Sequence, residues 1–216
     1  MSETFLARVR RLVTTSYSDS DSPIAINPRG DSLVAQSLPR KTELARLGNS
    51  WSITTPLANA FQPVAALPTT RAEMVLYNGD ALKSYVIDSV FVIGATSIGV
   101  AGVITLLGQL VPSGTAPTDN AAVLVNSRSC RSNYGGKARK AIANTAFGIA
   151  DKWEVLGNSA LSSATTAIGL AAYADVEGGF IVPPGGLFLA NAIAGTAGGT
   201  CVIGIVWHEV ELSLGG

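Results

Sequence analysis

Apolar positions along this chain recur in short runs broken by proline and glycine, the pattern that strands of a sandwich leave in a sequence. WSITTP from Trp51, QPVAALPTT from Gln62 and RAEMVLYNGD from Arg71 are three such runs, and Asn78-Gly79 is a tight-turn dipeptide. Between Lys83 and Ile93 the pattern alternates in part. Tyr85, Ile87, Phe91 and Ile93 fall on one face, and Val86, Asp88, Val90 and Val92 fall on the other. Both faces are mainly apolar, so this strand is expected to be covered on both sides. Residues 97–107 should return antiparallel, 112–120 should form a loop, and 121–126, 141–150 and 153–156 should add strands. Residues 160–174 fit a helix through their alanines or a strand through Thr165, Thr166 and Ile168. From Gly178 to Leu212 come three apolar runs, separated by Pro183-Pro184-Gly185-Gly186 and by a glycine-rich turn. Proline cannot donate to a ladder and glycine admits positive φ, so 182–186 should be a corner and the whole stretch a closing hairpin.

The first fifty residues read differently. Residues 1–13 suit a short amphipathic helix, with Phe5, Leu6, Val9 and Leu12 opposite Arg8, Arg10 and Arg11. Residues 14–31 are rich in Ser, Asp, Pro and Gly and should be an extended linker. Residues 39–47 carry Pro39 at a helix start and Gly48 past its end, which suits a two-turn helix, although a strand fits as well. The expected organisation is an arm and linker over 1–50 and a β-sandwich domain over 51–216. With roughly eight to ten strands at this turn spacing, the fold class is all-β: an antiparallel β-sandwich of jelly-roll type with an extended N-terminal arm.

Composition sharpens this picture. Charged residues make up 14% of the chain, against about 25% in ordinary soluble domains. So little charge leaves surface that other subunits or lipid should cover. A membrane helix is the alternative reading of residues 90–111, which are uncharged and apolar. Ten of those 22 residues are Val, Ile or Thr and four are Gly, so strands are favoured and a membrane is not the expected partner. The net charge is zero but uneven: Arg128, Arg131, Lys137, Arg139 and Lys140 form a basic run, whereas 151–216 hold six acids and one lysine. Such a division suits subunits packed side against side. The basic run suits an acidic protein surface better than nucleic acid, because the chain as a whole is neutral. Residues 1–13 lack a long apolar core, so no secretory signal is expected there.

Candidate chemistry is sparse. The sequence holds no G-x-S-x-G, no phosphate loop and no H-E-x-x-H, so no enzyme and no cofactor are expected. His208, the single histidine, adjoins Glu209 in a strand and reads as structural. Cys130 and Cys201 read as reduced thiols, and Asp19, Asp21 and Asp31 lack the spacing of a calcium loop, so no metal is expected either. Trp51, Trp153 and Trp207 are core candidates; if exposed, they would suit a carbohydrate- or receptor-binding module.

The runs PVAALPTTRAEMVLYNGD, KSYVIDSVFV, GGFIVPPGGLFLANAIAG and CVIGIVWHEVEL, within residues 50–212, resemble the β-sandwich structural proteins of tailed bacteriophage virions. The likeness lies in short strands, Pro-Pro-Gly corners, low charge and a terminal hairpin. It implies a capsid cement or decoration protein, or a minor capsid or tail component, located in the virion and in the host cytoplasm during assembly. The implied partners are copies of itself, a trimer first, and other virion proteins such as the major capsid protein. Expected subunit contacts are Phe5, Leu6 and Val9 in the arm, and Arg131, Lys137, Arg139 and Lys140 in the basic run.

Overall fold

A computed structural model describes residues 40–69, 71–95, 102–128, 137–144, 152–161, 169–195 and 199–211. The chain divides into two compact units, Met1–Arg40 and Lys41–Gly216. The arm residues Phe5, Leu6 and Val9, and Arg131 of the basic run, lie outside the described residues.

Pro39 and Gly48 bracket a helix, α1 (Arg40–Arg46). Gly48 adopts φ 80° and ends it, donating to Ala45 O at 2.9 Å while the Asn49 N–H reaches Leu44 O at 2.9 Å. This paired closure needs the left-handed conformation that glycine takes freely. It delivers Asn49 directly to the start of β1 (Ser50–Thr54).

The remaining strands are β2 (Ala72–Tyr77), β3 (Ser84–Gly94), β4 (Gly102–Val111), β5 (Val125–Ser127), β6 (Arg139–Asn144), β7 (Glu154–Leu161), β8 (Gly169–Val182), β9 (Leu187–Ala194) and β10 (Cys201–Val210). They form two antiparallel sheets of five, in the orders β5-β1-β10-β3-β8 and β6-β2-β9-β4-β7. Setting β5 and β6 aside, the first strand pairs with the last and the second with the last but one. That is the connectivity of a jelly roll, a long antiparallel pair of chains wrapped into two facing sheets. β5 and β6 belong to a long insertion between β4 and β7, and each extends one sheet at the same side of the sandwich.

The core lies between the sheets. Trp51, Ile53, Tyr85, Ile87, Ile203, Ile205 and Trp207 of the first face Met74, Leu76, Ile104, Leu106 and Phe188 of the second. Phe180 and Phe188 meet edge to face at 5.2 Å. Each such large apolar side chain contributes about 1.5–3 kcal/mol on leaving water.

Several local expectations change. Both faces of β3 are indeed largely covered, but a bulge at Asp88 shifts the alternation. Tyr85, Ile87, Val90 and Val92 therefore point into the core, and Phe91 lies on the outer face across Gly204. The Pro183–Gly186 segment is a corner, as its residues dictate, yet it closes no hairpin: β8 and β9 lie in different sheets, and β9 and β10 do too. Asn78-Gly79 likewise begins an arch from β2 to β3 rather than a two-residue turn. Residues 62–69 form no strand; the isolated bridges Phe61–Cys201 and Val64–Ile193 pair this stretch with β10 and β9. The strand expected at 121–126 is reduced to β5, because Asn120–Val123 closes a turn. The strand expected at 153–156 runs on to Leu161, and 141–150 is strand through Asn144, its remainder lying outside the described residues. The ambiguous 160–174 is strand at both of its described ends. Residues 90–94 and 102–111 lie in strands of opposite sheets, and among the described residues no helix is long and apolar enough to cross a membrane.

Candidate functional site

The insertion between β4 and β7 opens one side of the sandwich. At the opposite side β7 and β8 close together: a Cβ at Gly157 would stand 3.3 Å from the Ala174 Cβ, so the absent side chain lets the two edges meet. Among the described residues, a cleft of about 870 Å³ runs between β5 and β6. Its walls include Tyr77, Val123, Asn126, Asp119, Lys137 and Arg139.

Three of the cations singled out from the sequence come together here. Lys137 and Arg139 are exposed. Lys140 is buried: its Nζ lies 3.3 Å from Asp119 Oδ1, and its backbone N–H donates to the same oxygen at 2.9 Å. The Asn120 N–H returns a bond to Lys140 O at 2.7 Å. Lys140 therefore clamps the segment between β4 and β5 onto β6, a task that removes it from the outer surface. Arg139 and Lys140 also belong to a strand, not to the loop that their run of charge suggests.

A second polar cluster lies on the outer face of the first sheet, at the bulge. His208 Nδ1 stands 3.1 Å from Asp88 Oδ2, with both side chains under a tenth exposed. Lys41 on α1 adds its ammonium at 3.9 Å from Asp88 Oδ1 and 3.6 Å from Asp175 Oδ1. His208 and Lys41 are thus the polar partners that the buried Asp88 side chain needs. Among the described residues, no group of three or more His, Cys, Asp or Glu gathers to hold a metal.

The third cluster was not visible in the sequence. Glu209 on β10 is 3% exposed, and its Oε2 accepts from Lys83 Nζ at 3.2 Å. Its Oε1 is buried, and the Trp51 side chain acts on the same carboxyl. Burial pushes the Glu209 carboxyl above its ordinary range, with Lys83 pulling the other way. Lys83 Nζ also reaches Asn49 Oδ1 at 3.4 Å. Asp80 caps the arch below, accepting from the Leu82 and Lys83 N–H groups at 2.8 and 3.1 Å, and the Leu82 bond chiefly lowers its pKa. Asn49, Lys83 and Glu209 are remote in sequence, and the only trace of the cluster is an acid interrupting the apolar run of β10.

No family model matches the chain, and no curated protein matches it.

The tryptophans are committed to structure. Trp51 and Trp207 are buried, and the half-buried Trp153 donates its Nε1 proton to Pro68 O at 2.8 Å. Buried as they are, Trp51 and Trp207 offer no open indole face of the kind that stacks on sugar rings. Cys201 is fully buried in β10, and desolvation pushes its thiol up to about 11.

Proposed function

We propose that the protein is a non-enzymatic structural subunit of a virion, acting by self-association as capsid cement or decoration, or as a minor capsid or tail component. The observation that carries this reading is the jelly-roll connectivity, an architecture that viral capsid proteins use widely. A fold hosts many functions, so the surface supplies the second support. The chain is only 14% charged, and it leaves large apolar side chains in water. Val103, Val155 and Tyr173 are exposed on β4, β7 and β8, while Leu57, Val64 and Leu67 are exposed on the β1–β2 connection. Packing copies against one another would remove such area from water at about 25 cal/mol per Å². The exposed Lys137 and Arg139 beside the cleft suit an acidic patch on a neighbour, which steers and orders the contact. The expected assembly is a homo-oligomer, a trimer first, seated on other virion proteins such as the major capsid protein.

Light scattering of the purified protein without detergent tests this reading. The expected molar mass is a small integer multiple of the chain mass, stable on dilution to micromolar concentration. A monomer that persists at high concentration, and that fails to sediment with assembled capsids or tails, overturns it.

A further inference from the structure

Asn49, Lys83 and Glu209 carry chemistry that subunit packing leaves unused. Each continues the inward alternation of its strand, past Trp51, Tyr85 and Trp207 respectively. The three therefore meet on the core side of the first sheet, at one end, with β10 central between β1 and β3. One amine, one carboxamide and one buried carboxyl stand together, with Lys83 Nζ 3.4 Å from Asn49 Oδ1 and 3.2 Å from Glu209 Oε2. These are a nucleophile, an electrophile and a proton carrier. We propose that Lys83 and Asn49 become joined by an isopeptide bond that the protein forms by itself, with Glu209 as the catalytic residue.

The step balances without any added reagent. The Lys83 ammonium gives a proton to the Glu209 carboxylate, and the neutral Nζ attacks Asn49 Cγ, forming a new C–N bond. Glu209 passes that proton to Asn49 Nδ2, the Cγ–Nδ2 bond breaks and ammonia leaves, while Nζ, cationic since the attack, gives up its second proton, which the ammonia takes up as ammonium. Overall an ammonium and a carboxamide become a secondary amide and an ammonium ion, and Glu209 ends as it began.

The frame holds the reacting groups in place. Asn49 is fixed through its N–H to Leu44 O and through its carbonyl, which accepts from the Glu209 N–H at 2.8 Å. Lys83 is fixed through its N–H to Asp80 Oδ1 and through its carbonyl, which accepts from Asn78 Nδ2 at 2.8 Å. Two reactants held at contact distance convert a bimolecular reaction into an intramolecular one, the largest single help that positioning gives. Burial makes Glu209 more basic than a free carboxylate, which suits it to taking and returning a proton. Lys83 is 31% exposed, which leaves ammonia a way out.

Intact-mass measurement and peptide mapping of the full chain decide the matter. The expected mass is lower than that of the encoded sequence by one ammonia, and digestion should yield a branched peptide linking the segment around Asn49 to the segment around Lys83. Succinimide formation at Asn78-Gly79 loses the same mass but gives no branched peptide. Lys83→Arg, Asn49→Ala and the isosteric Glu209→Gln, each checked for folding by circular dichroism, should abolish the branch. Finding both peptides free in the wild-type chain overturns the bond. A branch that survives in full in Glu209→Gln overturns the role of Glu209.

Discussion

Asn78 ties the arch between β2 and β3 to the corner between β8 and β9, and its removal has a calculable effect. The residue is fully buried where β2 ends. Its Nδ2 donates to Lys83 O at 2.8 Å and to Val182 O at 2.9 Å, and its Oδ1 accepts from the Asp80 N–H at 3.0 Å. Its backbone exchanges two further bonds with Gly185 and Gly186 at the corner between β8 and β9. Asn78→Ala leaves the backbone bonds but removes three side-chain bonds, two of them serving buried carbonyls. At about 1 kcal/mol net for each, the loss is ~3 kcal/mol. For a domain of this size that lowers Tm by roughly 6–12 °C. Asn78→Asp should do worse at neutral pH, because a carboxylate oxygen then faces the two carbonyls that the amide served. That excess should shrink in acid, where a protonated carboxyl regains one donor. Calorimetry and urea unfolding at one fixed protein concentration measure both variants. A loss below about 1 kcal/mol for Asn78→Ala would refute the reasoning, since it would mean that water replaces the amide at no cost.

Other outcomes follow from single contacts. A Cβ at Gly204 would fall on the Phe91 ring, so Gly204→Ala should destabilise by roughly 1–3 kcal/mol in urea unfolding, and adding Phe91→Ala should recover part of it. Cys201, with its thiol pushed up to about 11, should resist iodoacetamide at pH 8 in the folded protein and react on unfolding, as peptide mass mapping would record. In an Asn49→Ala background, which cannot form the cross-link, Glu209→Gln should gain stability relative to its parent as pH rises. A carboxyl whose folded pKa is raised contributes stability that is full below the ordinary 4.5 and is lost as pH climbs through the folded value. A gap between the two chains that stays flat from pH 4 to pH 8 would contradict that sign.

Strand periodicity from Trp51 onward carries the fold class, because alternation and turn residues are local properties that tertiary structure preserved. Partnership between strands is not local. Pro183-Pro184-Gly185-Gly186 bends the chain equally well within one sheet or from one sheet to the other, so a sandwich arch reads as a hairpin. One extra residue at Asp88 reverses the facing of Phe91, and nothing in KSYVIDSVFV marks where the extra residue falls. The basic run shows the same limit: Lys137 and Arg139 are exposed as charge suggests, but Lys140 alternates inward along β6 and finds Asp119, 21 positions away. The cluster of Asn49, Lys83 and Glu209 exists only through the first-with-last pairing of the roll.

That pairing also governs how the chain comes to be folded. β10 is made after the other nine described strands, yet it lies in the middle of the first sheet, with β1 on one flank and β3 on the other. Until it emerges from the ribosome, β1 and β3 have no common neighbour and their apolar faces wait uncovered. Maturation is therefore bound to be a late, all-at-once event dominated by contacts between distant segments, which is the slow end of the folding scale. A chain cut short ahead of Cys201 would forfeit the keystone of a whole sheet, with aggregation as the natural consequence.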